Sequence, residues 1–258
     1  MNLQLKGKTA IVTGGTAGIG LAIVKALTAE GVIVTVPGRT QDKLDKALAG
    51  LQNVKGVVAD PATAEGAASL IQQVSSTDIL VNNIGIYEPK EFSDITDEDC
   101  FKIFEVNVLS GVRLSRHYFP AMIERNAGRI IFISSESGVM TPPEMVHYGV
   151  TKSAQLAISR GLAERTKGTA VTVNTVLPGP TRSEGIVDFL KNLSTTKDAT
   201  PEQAEKEFFE KHRQSSLLQR LIESEEIASL VAYLASPLSA ATNGAALRAE
   251  GGLLRSIV

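Results

Sequence analysis

The feature that most constrains this chain is an alternation, running almost from end to end, of short apolar runs with amphipathic helical stretches. Runs of strand length stand at Thr9–Val12, Val32–Val36, Val54–Ala59, Ile79–Asn82, Arg129–Ile133, Val171–Val176 and Ala245–Ala249. Helical patterns separate them at Ile19–Ala29, Gln41–Ala49, Ala64–Val74, Asp97–Phe119, Tyr148–Glu164 and Ser224–Leu234. Strands that are apolar on both faces need cover on both, and helices returning over a parallel sheet supply it through right-handed crossovers. The expectation is an α/β fold, doubly wound and mainly parallel. Gly31 fits the left-handed position past the first helix, and Thr96 fits the cap of the fourth.

One segment breaks the rhythm. From Gly179 to about Ser216 no strand is expected, and the helical pieces carry Phe189, Leu190, Leu193, Phe208 and Phe209. A long, amphipathic insertion at the carboxyl end of a strand reads as a lid over a site, approximately residues 179–216. No repeat or low-complexity linker divides the 258 residues, so residues 1–258 read as a single domain. A net charge of −2 and the absence of any basic run argue against nucleic acid or an anionic membrane as partner. The uncharged stretch from Ile227 to Leu247 is broken by Pro237 and Asn243-Gly244, which reads as helix, turn and strand rather than a membrane span. With the single cysteine Cys100 and no signal-like N-terminus, a cytoplasmic location is expected.

Between the first strand and the first helix stands Thr13-Gly14-Gly15-Thr16-Ala17-Gly18-Ile19-Gly20. Glycines let backbone amides approach a pyrophosphate closely, and the helix N-terminus adds partial positive charge. The spacing is Gly-x-x-x-Gly-x-Gly rather than G-x-G-x-x-G; the strand before and helix after it favour nucleotide binding over a mere packing turn. Where the second strand ends, a carboxylate would accept from a ribose 2′-hydroxyl, as in NAD-preferring sites. This chain has Arg39, in Pro37-Gly38-Arg39-Thr40, whose planar fork suits a 2′-phosphate. NADP(H) is the expected cofactor, with NAD(H) as the alternative.

Tyr148 and Lys152 stand four residues apart, thirteen positions after Ser135. On a helix they share a face, and a neighbouring cation is expected to bring a phenol down from its reference pKa of about 10. A tyrosine–lysine pair of this spacing also arises by chance; its setting decides. His117, His147 and His212 form no metal-ligand spacing, so no metal is expected, and no Gly-x-Ser-x-Gly elbow suggests a hydrolase. Glu136, after Ser135, faces either the pocket rim or the packed interior.

Taken together, these motifs resemble the short-chain dehydrogenase/reductase family over nearly the whole chain. Thr13-Gly14 through Gly20 is similar to its cofactor loop, Asp60 to its adenine-contacting aspartate, and Asn82-Asn83-Ile84-Gly85 to its Asn-Asn-Ala-Gly element. Asn107, Ser135, Tyr148 and Lys152 match its catalytic tetrad, Pro178-Gly179 its nicotinamide-flanking turn, and Glu250-Gly251-Gly252 its Asp-Gly-Gly. Ile84, Ser183, Thr181 and Glu250 depart from the usual residues, and Ala17 stands where some NADP-preferring relatives carry a basic one. The resemblance implies a Rossmann-like, seven-stranded sheet. It implies cofactor contacts from Gly14, Thr16, Gly18, Ile19, Gly20, Arg39, Asp60, Asn83, Gly85, Tyr148, Lys152, Pro178, Gly179, Thr181 and Ser183.

It further implies hydride transfer between NADP(H) and a small carbonyl or secondary alcohol. Tyr148 is then the general acid or base, Lys152 holds the nicotinamide ribose and lowers the phenol, and Ser135 binds the substrate oxygen. Asn107 is expected to hold a water linking Lys152 to solvent. Ile86, Tyr87, Met140, Pro142 and Met145 are candidate pocket residues. A homotetramer, or else a dimer, packed through the fourth and fifth helices is implied as well. The alternatives are a 3-oxoacyl thioester reductase, with Arg125, Arg129 and Lys167 as docking candidates, and a non-catalytic NADP(H) sensor.

Overall fold

The computed structural model describes residues 2–196 and 198–257; the side chains of Glu184, Val187, Asp188 and Asn192 are not described, and Lys197, within the expected lid, lies outside the described residues. Seven strands form one parallel sheet: β1 (Thr9–Val12), β2 (Ile33–Gly38), β3 (Val54–Val58), β4 (Ile79–Asn82), β5 (Arg129–Ile133), β6 (Thr172–Pro178) and β7 (Ala246–Ala249). Their order is β3-β2-β1-β4-β5-β6-β7. Helices α1 (Gly18–Ala29), α2 (Gln41–Leu48), α3 (Ala64–Gln73), α4 (Asp97–Phe104), α5 (Ser110–Glu124), α6 (Val146–Glu164), α7 (Glu184–Leu193), α8 (Pro201–Lys211) and α9 (Ser224–Ala235) complete the described elements, with short 3-10 turns between them.

The period-two geometry of the strands splits the core into two layers. Ile11, Leu80, Ile130 and Phe132 turn to one face, where Leu70, Leu114, Tyr118 and Met122 from α3 and α5 bury them. Val12, Ile79, Val81, Ile131 and Ile133 turn to the other, against Ile23, Leu27, Ile227 and Val231 from α1 and α9. Register pairs Ile11 with Leu80 and Leu80 with Ile130, so like-facing side chains stack across the sheet. The order reverses at β1, which has β2 on one side and β4 on the other. In such sheets the crevice at the reversal is the ligand site.

Capping follows the sequence expectations. Gly31 sits at φ +78, in the left-handed region. The Thr96 hydroxyl accepts from Asp99 N at 3.2 Å while the Asp99 carboxylate accepts from Thr96 N at 2.9 Å. The expected unbroken helix from Asp97 to Phe119 is corrected: it runs on to Glu124 and is interrupted by a π turn at Glu105–Leu109. The cause is local. Asn107, between β-branched Val106 and Val108, is drawn inward by hydrogen bonds in both directions with Ile86 backbone, at 2.7 and 2.9 Å. Such π turns gather at functional sites.

The segment expected to act as a lid folds into α7 and α8, which bury Leu190, Ala204, Phe208 and Phe209 with Leu221 in a small core of their own. Among the described residues no helix is long and apolar enough to cross a membrane. Leu80→Ala, at a fully buried position of the central strand, is expected to lower unfolding free energy by about 2–5 kcal/mol. Urea titration will read this as a lower midpoint with an unchanged slope.

Candidate active site

The crevice at the sheet reversal is stitched by side chains. Thr13 Oγ1 accepts from Asn83 N at 2.9 Å and Ile84 N at 3.1 Å, and Asn83 Nδ2 donates to Thr13 O at 3.0 Å. These bonds fix the loop after β1 against the loop after β4. Gly14 and Gly18 lie at φ +64 and +49, conformations that other residues reach only with strain. A Cβ on Gly20 would stand 2.1 Å from the Gly14 carbonyl oxygen, so this position admits no side chain. Ile84 packs on Gly14, with its Cγ1 3.5 Å from a Cβ built there.

This loop fits a dinucleotide. Ala17, the N-cap of α1, offers no side-chain cap, so among the described residues no side chain accepts from the first N–H groups of the helix, at Gly18, Ile19 and Gly20. Thr16 is half-buried beside them. Arg39 at the end of β2 is exposed, and among the described residues it makes no hydrogen bond or ion pair. Asp60, after β3, is half-buried and its Oδ1 accepts from Ala62 N at 3.1 Å. Ser183 begins α7 without capping it and lies near Gly18, its Cβ 3.7 Å from a Cβ built there. Thr181 Oγ1 is engaged by Gly179 O at 2.8 Å. Pro178 and Gly179 are buried, and Gly179 is held against the Glu250 backbone, 2.7 Å from a built Cβ. The Glu250 carboxylate caps the turn beyond it by accepting from Leu253 N and Leu254 N.

The four residues matched to the catalytic tetrad converge on the same end of the sheet. Lys152 Nζ donates to Ile133 O at 3.1 Å and to Gln155 Oε1 at 3.2 Å. It stands 5.5 Å from the Tyr148 ring centroid and 3.4 Å from a Cβ built on Gly85. The glycine therefore leaves room beside the ammonium. Gln155 Nε2 donates to Asn107 O at 2.6 Å, and Asn107 Nδ2 donates to Thr151 Oγ1 at 3.0 Å. Among the described residues the Lys152–Asn107 connection thus runs through Gln155. Gln155 lies on the Lys152 face of α6 at i+3, a signal that helical spacing carried and the sequence reading passed over.

Ser135 Oγ donates to the Glu136 carboxylate and accepts from Ser137 N at 3.1 Å. Glu136 is buried, and burial pushes its carboxyl up while Ser135 and Arg213 pull it back. Burial lowers Lys152 to about 8, against the charge of Glu136. The Tyr148 phenol is pushed up, first by burial and then by Glu136, with the Ser135 hydroxyl working the other way. This corrects the expected lowering by Lys152: the ammonium faces the ring, and desolvation dominates. Tyr148 is half-buried, and its ring meets Tyr87 edge-on at 6.2 Å; Tyr87 meets Phe189 of α7 at 6.3 Å.

Of the other candidate lining residues, Ile86 and Met140 are exposed and Pro142 and Met145 are buried. His147 is buried with Nδ1 unpartnered among the described residues. Arg129 cannot serve a docking face: it is buried and spends Nη1 on the carbonyls of Gly128 and Ala170. Arg213, absent from the sequence-based candidates because 77 residues separate it from Glu136, donates to Glu144 Oε1 at 3.3 Å. Lysine side-chain NMR is expected to show one ammonium with a midpoint near about 8, lost in Lys152→Gln, among others near about 10.4. Above the native value the unfolded chain still binds the proton, so the destabilisation from Lys152 is present below about 8 and fades as pH rises.

The chain is similar to known proteins over its whole length. The family model described as short chain dehydrogenase matches residues 8–192. The uncharacterized oxidoreductases YvaG and YvrD of Bacillus subtilis (strain 168) are 50% and 44% identical over 263 residues, covering all of both chains. The crystal structure of L-sorbose reductase from Gluconobacter frateurii, complexed with NADPH and L-sorbose, superposes with a TM-score of 0.93 at 28% identity, covering both chains fully.

Proposed function

The chain belongs to the short chain dehydrogenase family, and on that premise we propose that this oxidoreductase moves a hydride between NADP(H) and a small carbonyl or secondary alcohol. The observation that carries this reading is the convergence of Ser135, Tyr148 and Lys152 beside Gly85 and the glycine loop. The bound nicotinamide would supply or accept the hydride. The protein orients the partners and handles the proton.

Tyr148 gives the proton to the substrate oxygen in reduction. Its phenol, pushed up by burial and by Glu136, carries the proton at neutral pH. Ser135 turns its hydroxyl from Glu136 to the substrate oxygen and stabilises the growing alkoxide charge. Lys152, fixed through Ile133 O and Gln155, would hold the nicotinamide ribose and keep positive charge beside the phenol. Asn107 anchors Gln155 and the loop at Ile86.

Cofactor contacts are assigned to Gly14, Thr16, Gly18, Ile19, Gly20, Asp60, Asn83, Gly85, Pro178, Gly179, Thr181 and Ser183. The L-sorbose reductase was crystallised with NADPH, and Arg39 supports the same choice here. Residues 179–216 act as lid within one domain, residues 1–258, in the cytoplasm. A homo-oligomer is supported by exposed Phe101 and Phe104 on α4 and Val150 on α6, apolar surface that the partner copy would cover; a tetramer is favoured over a dimer. A carrier-borne 3-oxoacyl thioester is disfavoured, since Arg129 leaves the docking candidates.

Tyr148→Phe is expected to abolish NADPH oxidation across a panel of ketones, aldehydes and sugars while NADPH binding, read by fluorescence, persists. Near-normal turnover in that variant sinks the mechanism. Arg39→Ala is expected to weaken NADPH binding on the order of tenfold to a hundredfold while sparing NADH. Equal losses for both cofactors would remove Arg39 from the phosphate.

A further inference from the structure

Beside the reacting groups sits a buried carboxyl that the proposed hydride transfer does not use. Glu136 is 6% exposed. One of its oxygens takes the Ser135 hydroxyl and the other the Ser137 hydroxyl at 3.4 Å, and the backbone N–H groups of Ser137 and Glu136 add to them. Glu136 holds the hydroxyl of Ser135, the group assigned to the substrate oxygen, and so borders the place where that oxygen would arrive. Facing it electrostatically is Arg213, which reaches in from the end of α8. The Arg213 side chain is 12% exposed, stacks on Phe208 at 5.4 Å, and is tied by Nη2 to Glu144 and by Nη1 to His212 O. Its Nε is buried without a partner among the described residues. Arg213 Nε is thus an unfilled buried donor among the described residues, and such groups are rare enough to require a reason.

The two charges select the kind of group that fills the gap. A substrate ammonium would meet Arg213 and Lys152, and a carboxylate would meet Glu136. A neutral hydroxyl, donor and acceptor at once, suits both sides. It suits Glu136 in either protonation state, because a carboxyl keeps an acceptor oxygen even when protonated. The Ser135 hydroxyl adds a second argument. To bind the substrate oxygen it must leave Glu136, and a buried carboxyl stripped of a hydrogen bond is unfavourable. A substrate hydroxyl one carbon from the carbonyl restores that bond; a plain ketone leaves it broken.

We propose that Glu136, opposed by Arg213, is the specificity-determining group of this site and selects carbonyl compounds with a hydroxyl on the adjacent carbon, the α-hydroxy ketones. This rests on the reductase reading above and names its substrate class. The reaction balances as hydride to the carbonyl carbon, proton from Tyr148 to its oxygen, loss of the C=O π bond, and release of a vicinal diol with oxidised cofactor. The neighbouring hydroxyl is held and unchanged.

The test compares 1-hydroxybutan-2-one with butan-2-one, which differ by that hydroxyl alone, using NADPH. Wild type is expected to prefer the hydroxy ketone on the order of tenfold to a hundredfold in kcat/KM. In Glu136→Ala the preference collapses to within about threefold, mainly through KM. Glu136→Gln, which keeps an acceptor oxygen, restores most of it. A turnover-independent readout uses the Tyr148→Phe protein with NADPH bound, where the hydroxy ketone quenches cofactor fluorescence and the added Glu136→Ala change removes the effect. A wild-type ratio near one, or an unaltered ratio in Glu136→Ala, overturns the selectivity and leaves the reductase reading standing. Neither ketone reduced and neither bound overturns the α-hydroxy ketone class, and the panel of ketones, aldehydes and sugars then decides the reductase reading. If Glu136→Ala fails to fold, the wild-type ratio and the Glu136→Gln ratio still decide.

Discussion

The organising constraint of this site is a buried ammonium. Lys152 lies almost fully inside the protein, and no carboxylate stands within salt-bridge distance of it among the described residues. A buried charge without a direct counter-ion must be solvated by fixed dipoles. The Ile133 carbonyl and the Gln155 side chain do this, and each is itself held. Gln155 is anchored on Asn107, Asn107 on Ile86 and Thr151, and Ser134 clamps the helix by donating to Lys152 O at 2.9 Å. The π turn in the long helix, the bend after β4 and the first turns of α6 are therefore parts of one hydrogen-bonded unit. The residual tension is visible in Lys152 itself, lowered to about 8.

A second continuous element joins this rigid base to the insertion after β6. Edge-on aromatic contacts run from Tyr148 through Tyr87 and Phe189 to Phe208 and Phe209. Arg213 follows the same route, stacked on Phe208 and bonded to Glu144 beside α6. The insertion carries its own apolar core, so it packs as a unit on the rim rather than merging with the sheet.

The strands were legible because their residues alternate between two buried faces, and β1, β4 and β5 fall at the expected bounds. The glycine loop was legible because φ above zero and a built Cβ 2.1 Å from a carbonyl leave only glycine possible. The π turn was not, since an amphipathic pattern looks alike when one helical turn widens by a residue. Nor was the direction of the phenol's pKa. Tyr148 and Lys152 share a face by spacing, but desolvation depends on what else packs there, including Glu136.

By itself the sequence determined the parallel sheet, the place of the crevice and the motifs of the family, because these follow from local periodicity, backbone permissiveness and short-range spacing. The tertiary structure alone decided which groups surround the reacting centre. Glu136 sits next to Ser135 in the chain, yet only packing buries it. Arg213, 77 residues further on, is set against it by the fold of the insertion. Burial and long-range juxtaposition set the dielectric and the unfilled hydrogen bonds, and neither quantity is a property of a segment read alone.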